Sequence, residues 1–143
     1  MSENGASRIR VVLRWIQIKD NKEAMWDDEG EFRFRSKITT AGQTTELEFP
    51  EQGYWSISDH PRRNKVDKID KVLYEGEVGE TMLIELFGVE LDQMSANDHL
   101  QDYRREYTGD IAAWLGRHQP TDEGSDDPEN LEDWRVCYDI EEA

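Results

Sequence analysis

One cysteine, Cys137, stands alone in this chain, so no disulfide can close within it. The opening residues, Met-Ser-Glu-Asn-Gly-Ala-Ser, hold none of the apolar stretch that begins an export signal. No run comes near the ~20 apolar residues of a membrane helix. These absences lead us to expect a cytoplasmic or assembly-associated protein. Cations are scarce as well: 17 Lys+Arg, six of them Lys, oppose 33 Asp+Glu, and the net charge is −16. Such a surface repels DNA, RNA and anionic lipid, so neither nucleic acid nor a membrane is the expected partner. The sequence also lacks a Gly-rich phosphate loop, a G-x-S-x-G elbow and an H-E-x-x-H helix. His60, His99 and His118 are isolated along the chain, and Cys137 has no evident activating base. We therefore expect no enzyme and no small-molecule substrate.

What the chain does have is bulky apolar side chains: five Trp, five Tyr and four Phe in 143 residues, enough for the core of one domain. Their spacing is that of strands. Arg8 to Ile18 is rich in β-branched residues, and Glu31 to Ile38 alternates cleanly, with Phe32, Phe34 and Ile38 on one face and Glu31, Arg33 and Arg35 on the other. Thr45–Phe49, Tyr54–Ser58, Lys65–Glu75, Thr81–Val89, Asp102–Tyr107 and Trp134–Ile140 also read as strands, separated by Gly, Pro and Asp. Gly109–His118 reads as one or two helical turns with Ile111, Trp114 and Leu115 on one face. The expected fold is an all-β, eight-stranded antiparallel β-sandwich with that short helical turn and an acidic loop, 119–130, before the last strand. Residues 1–7 are expected to be flexible, and 8–143 to form the single domain.

The acids are not evenly spread. Thr81–Val89 is followed at once by Glu90-x-Asp92-x5-Asp98. Side chains leaving a strand alternate with period two, so Glu90 and Asp92 share a face, and Asp98 can fold back across a short loop. Clustered carboxylates repel one another unless a cation lies between them, and Ca²⁺ takes six to eight oxygen ligands. One His beside carboxylates, His99, fits Ca²⁺ better than Zn²⁺. A second acidic loop, with Asp20, Glu23, Asp27, Asp28 and Glu29, joins the first two strands. Two such loops can meet at one end of a sandwich.

In these residues the chain resembles the C2 domain family. The family's late loop reads acid-x-Asp-x5-Asp after a strand of the type Leu-x-Ile-x-Val, and Met82 to Val89 leads into Glu90, Asp92 and Asp98 at that spacing. Its early loop carries two Asp about six apart before an aromatic-bearing strand. Here Asp20 and Asp27 are seven apart, ahead of Phe32 and Phe34. Glu90 stands where the family has Asp, and the Asp-Pro-Tyr signature is absent. The resemblance implies a Ca²⁺-binding interaction module with Glu90, Asp92 and Asp98 as late-loop ligands, and Asp20 with Asp27 or Asp28 from the early loop. It also implies a protein partner. The family's basic strand for anionic lipid has a counterpart in Arg62, Arg63, Lys65, Lys68 and Lys71, but Asp59, Asp67 and Asp70 beside them balance that charge. A different expectation also fits the acidity and the scarcity of Lys: a salt-adapted, halophilic structural subunit of a viral or injection-type assembly, bound to its assembly neighbours.

Overall fold

The computed structural model describes residues 7–19, 29–58, 64–91, 98–122 and 125–143, with the backbone alone for Glu29 and Asp98. The expected flexible start, 1–7, therefore lies outside the described residues except for Ser7, whose carbonyl accepts a hydrogen bond from the Val78 N–H. The strands, in chain order, are β1 (Arg8–Ile18), β2 (Glu29–Thr40), β3 (Gln43–Phe49), β4 (Trp55–Ser58), β5 (Lys65–Val66), β6 (Lys71–Glu77), β7 (Thr81–Leu91), β8 (Asp98–His99), β9 (Tyr103–Thr108), β10 (Gly116–His118) and β11 (Trp134–Glu142). Eight of these span four residues or more; of the other three, β8 and β10 are short additions to the expected set and β5 is the start of one expected strand. All the pairings are antiparallel. One sheet runs β10-β11-β1, with β5 and β6 both on the far side of β1; the other has β2 and β7 at its centre, β3 and β4 beside β2, and β8 and β9 beside β7. The two pack as a sandwich.

Alternation builds the core. On β7, Met82, Ile84 and Leu86 face inward and are fully buried; on β2, Phe32, Phe34 and Ile38 do the same. Phe34 lies 5.8 Å from Phe49, 5.9 Å from Trp55 and 5.5 Å from Trp134 of the opposite sheet, which fixes how the layers stack. β1 changes phase part-way along. Ile9, Val11 and Leu13 point inward, then Ile16 and Ile18. A register shift against β11 between Leu13 and Trp15 inserts Arg14 as an extra residue, and this bulge keeps both apolar runs on the core side. Ala41 and Gly42, both at positive φ, close the two-residue turn between β2 and β3.

Two expectations need correction. The single strand over Lys65–Glu75 is two, broken where Lys68 and Asp70 take positive φ. After Gly109 there is one 3-10 turn, Ile111–Ala113, capped by the Asp110 carboxylate on the Ala112 N–H. This is the short helical turn expected, but it stops before Gly116–His118, which form β10 with ladder partners on β11. Of the residues in the mixed Lys and Asp stretch, Asp70 accepts from Arg14 at 3.0 Å and Lys71 reaches Glu51, while Asp59, Arg62 and Arg63 lie outside the described residues. On that outer face Arg14 and Arg117 both donate to Asp139, and these bonds hold its carboxyl below the usual carboxylate range.

Two core positions give direct tests. A Cβ on Gly88 would lie 2.7 Å from the Phe34 ring and 2.8 Å from Leu100. Gly88→Ala is expected to cost about 1–3 kcal/mol in denaturant unfolding through overpacking. Ser36 faces inward at 0% exposure, and its hydroxyl has no hydrogen-bond partner among the described residues. Ser36→Ala should be neutral or stabilising by up to about 1 kcal/mol in the same measurement, because it removes a desolvated hydroxyl and little volume.

Candidate functional site

The pairing of β2 with β7 sets Glu31 against Leu91, and that of β2 with β4 sets Glu29 against Ser58. The start of β2, the end of β4 and the end of β7 therefore lie side by side. In the other sheet β1 ends at Ile18, which donates its N–H to the Asn64 carbonyl at 2.7 Å. The two sheets are tied together at this end. The Asp133 carboxylate accepts from the Gln101 N–H, its carbonyl accepts from the Lys19 N–H at 2.9 Å, and Trp134 Nε1 donates to the Gln101 carbonyl at 2.7 Å. Lys19 Nζ closes the brace on the Leu131 carbonyl. The described residues that flank segments 20–28, 59–63 and 92–97 thus gather at one end of the sandwich.

Of the six expected ligands, Glu90 is the one with a described side chain. Asp20, Asp27, Asp28 and Asp92 lie outside the described residues, and so does the side chain of Asp98. The Asp98 backbone forms β8 opposite Glu90. Glu90 continues the inward series Met82, Ile84, Leu86, Gly88, so it is 2% exposed and faces the end of the core. A Cβ on Gly30 would come within 2.6 Å of its Oε2, so this glycine leaves the room the carboxylate occupies. Sheet packing would place an apolar residue here, and burying a carboxylate is costly without compensation. The carboxyl group makes this end of the core polar. Among the described residues no three His, Cys, Asp or Glu side chains come together as a metal site.

A second cluster went unread in the sequence. Tyr103 and Tyr107 of β9 face Tyr138 of β11 across the sheets, with hydroxyl-to-hydroxyl distances of 2.6 and 2.5 Å to Tyr138. Tyr103 also donates to Glu129 at 2.5 Å, and Arg105 donates to the same oxygen at 2.8 Å. Glu129 belongs to the expected acidic loop, yet it is 2% exposed. His118 is not isolated: its ring stacks on Tyr138 and meets Tyr107 edge-on, and its Nε2 pairs with the Trp114 carbonyl. Burial raises the phenols, Tyr107 to about 12 and Tyr138 well above its ordinary value, so they stay protonated and serve as hydrogen-bond donors. The cluster is a clamp between the sheets. Its signal in the sequence was the four-residue spacing of Tyr103 and Tyr107, which puts both on one face. Cys137 lies on the face of β11 away from these rings, as expected, but it too is fully buried, and burial pushes its thiol up to about 11.

No family model matches this sequence, and no curated protein matches it either. A solved structure of human GIVD cytosolic phospholipase A2, in complex with methyl gamma-linolenyl fluorophosphonate, superimposes on 95% of this chain with a TM-score of 0.55 and 10% identity. The likeness is one of fold. This chain corresponds to 17% of the length of that protein. Among the described residues no helix is long and apolar enough to cross a membrane.

The clamp yields a test. Glu129→Ala leaves Arg105 without its buried partner and is expected to cost about 2–4 kcal/mol, discounted because a third of the Arg105 side chain is exposed. Tyr103→Phe should cost about 1 kcal/mol. Equilibrium unfolding of both variants checks the order.

Proposed function

We propose that this chain is a non-enzymatic, C2-like β-sandwich that binds Ca²⁺ at its acidic end and uses the ion to order a surface for a protein partner. The observation that carries this reading is the convergence of the ends of segments 20–28 and 92–97 beside the buried Glu90 carboxylate. Those segments contain Asp20, Asp27, Asp28 and Asp92, with Asp98 next in line. Oxygen donors of one sign at one place suit a hard divalent cation, and the ion would offset their repulsion. The overlap with part of a cytosolic phospholipase A2 supports the C2-like arrangement of the sheets. In this reading Glu90, Asp92 and Asp98 bind from the late loop, and Asp20 with Asp27 or Asp28 binds from the early one.

Thermal unfolding at fixed high ionic strength, in EDTA, in Mg²⁺ and in Ca²⁺, tests it. An ion bound only by the folded state stabilises by about 2.7 kcal/mol at a hundredfold excess over Kd, which for a domain of this size is a rise in Tm of about 5–10 °C. The expected result is a rise in Ca²⁺ beyond that in Mg²⁺, abolished by Asp92→Asn with Asp98→Asn. Equal curves in all three media would reject the calcium reading in favour of the salt-adapted assembly subunit.

A further inference from the structure

The outer side of β7 carries a feature that the calcium reading does not use. Strand alternation places Phe87 and Val89 on the solvent face of the central strand, where they are only half-buried. Opposite them on β2 stand Arg35 and Arg33, in register with Phe87 and Val89 respectively. On the other flank the ladder is interrupted. β9 pairs as far as Leu86 with Tyr103, and β8 resumes at Val89 with His99. Three residues, 100–102, oppose two, Phe87 and Gly88. Leu100 donates its N–H to the Gly88 carbonyl at 2.9 Å and turns its side chain into the core above the glycine. The core gains Leu100, and the outer face loses the side chain that would have covered Phe87. The result is a cleft of about 390 Å³ with an apolar floor of Phe87 and Val89, walled by Arg33, Arg35 and Glu48 on one side and by His99 and Asp102 on the other. That volume lies in the range of small-ligand sites, and bulges are a recurrent way of making them.

We propose that this cleft binds a small organic monocarboxylate with a flat apolar body. The floor supplies contact area for the body. The guanidinium groups select the charge. Arg35 lies over one face of the Phe87 ring at 4.6 Å, which puts a fixed positive charge beside the floor and disfavours a cationic ligand. Arg35 donates to Glu46 at 2.7 Å, and Arg33 to Glu48 at 3.0 Å and to the Gly53 carbonyl. Both glutamates are more than half exposed, so exchanging either for a ligand carboxylate costs little. The guanidinium fork matches a carboxylate in shape as well as in charge.

The probe is naphthalene-2-carboxylate, titrated into the ¹⁵N-labelled full chain, with naphthalen-2-ylmethylammonium as its cationic counterpart. The expected result is saturable amide shifts confined to Phe87–Val89 and His99–Asp102 with the carboxylate and none with the ammonium. Arg35→Gln should weaken the carboxylate about tenfold, as expected for loss of a charge-assisted fork. Val89→Asp, which changes the floor and leaves the core side of β7 untouched, should abolish the shifts. Amide dispersion elsewhere in each spectrum reports that the variant is folded. The proposal is overturned by an absence of saturable shifts, by equal binding of the ammonium, or by folded Arg35→Gln and Val89→Asp variants that bind like the parent.

Discussion

The pairing of β2 with β7 is the constraint on which the rest of this sandwich depends. Ten successive rungs, from Glu31 with Leu91 to Thr40 with Met82, run without a shift. Their inner faces supply Phe32, Phe34, Ile38, Met82, Ile84 and Leu86 to the core. Every outer and terminal feature of the second sheet inherits that register. It sets Arg35 against Phe87, turns Glu90 inward, and brings the ends of the acidic segments to one place. A slip of one residue would exchange the faces along the whole pair.

The contact between the two layers away from that pair is of a different kind. Where β9 and β11 approach across the sandwich, the join is polar, built from three phenols, one carboxylate and one guanidinium. Buried networks of this kind stabilise when every member is satisfied and penalise any gap. This one recruits Glu129 from a stretch of sequence that otherwise faces water, and so ties the long connection before β11 to the body of the domain. The acidic end uses a similar device in backbone form, with Asp133 holding Gln101 and Lys19 together.

Much of the fold was legible because alternation is a local signal. The limits of β1 were read to the residue, and β2, β7 and β11 within a few residues of each end, since their apolar and polar positions alternate with little interruption. β10 was missed because Gly116–His118 has no pattern of its own and becomes a strand only by borrowing partners from β11. The break between β5 and β6 was hidden for the same reason: Lys68 and Asp70 adopt positive φ without being glycine. At the candidate site, sequence spacing singled out Glu90 as an expected ligand but not its burial, which follows from counting back along β7 to Met82. Glu129 was invisible among so many acids, because a carboxylate destined for the interior looks no different from its solvated neighbours until its tyrosine partners are placed.

The bulge at Arg14 has a further consequence. It splits β1 into two half-strands whose core positions are odd-numbered before it and even-numbered after it. A chain that lost or gained one residue there could recover its pattern by sliding the bulge, at the expense of a rung or two. The β2–β7 pair has no such slack. The first sheet can absorb a change in strand length at this bulge, whereas the second holds a fixed register.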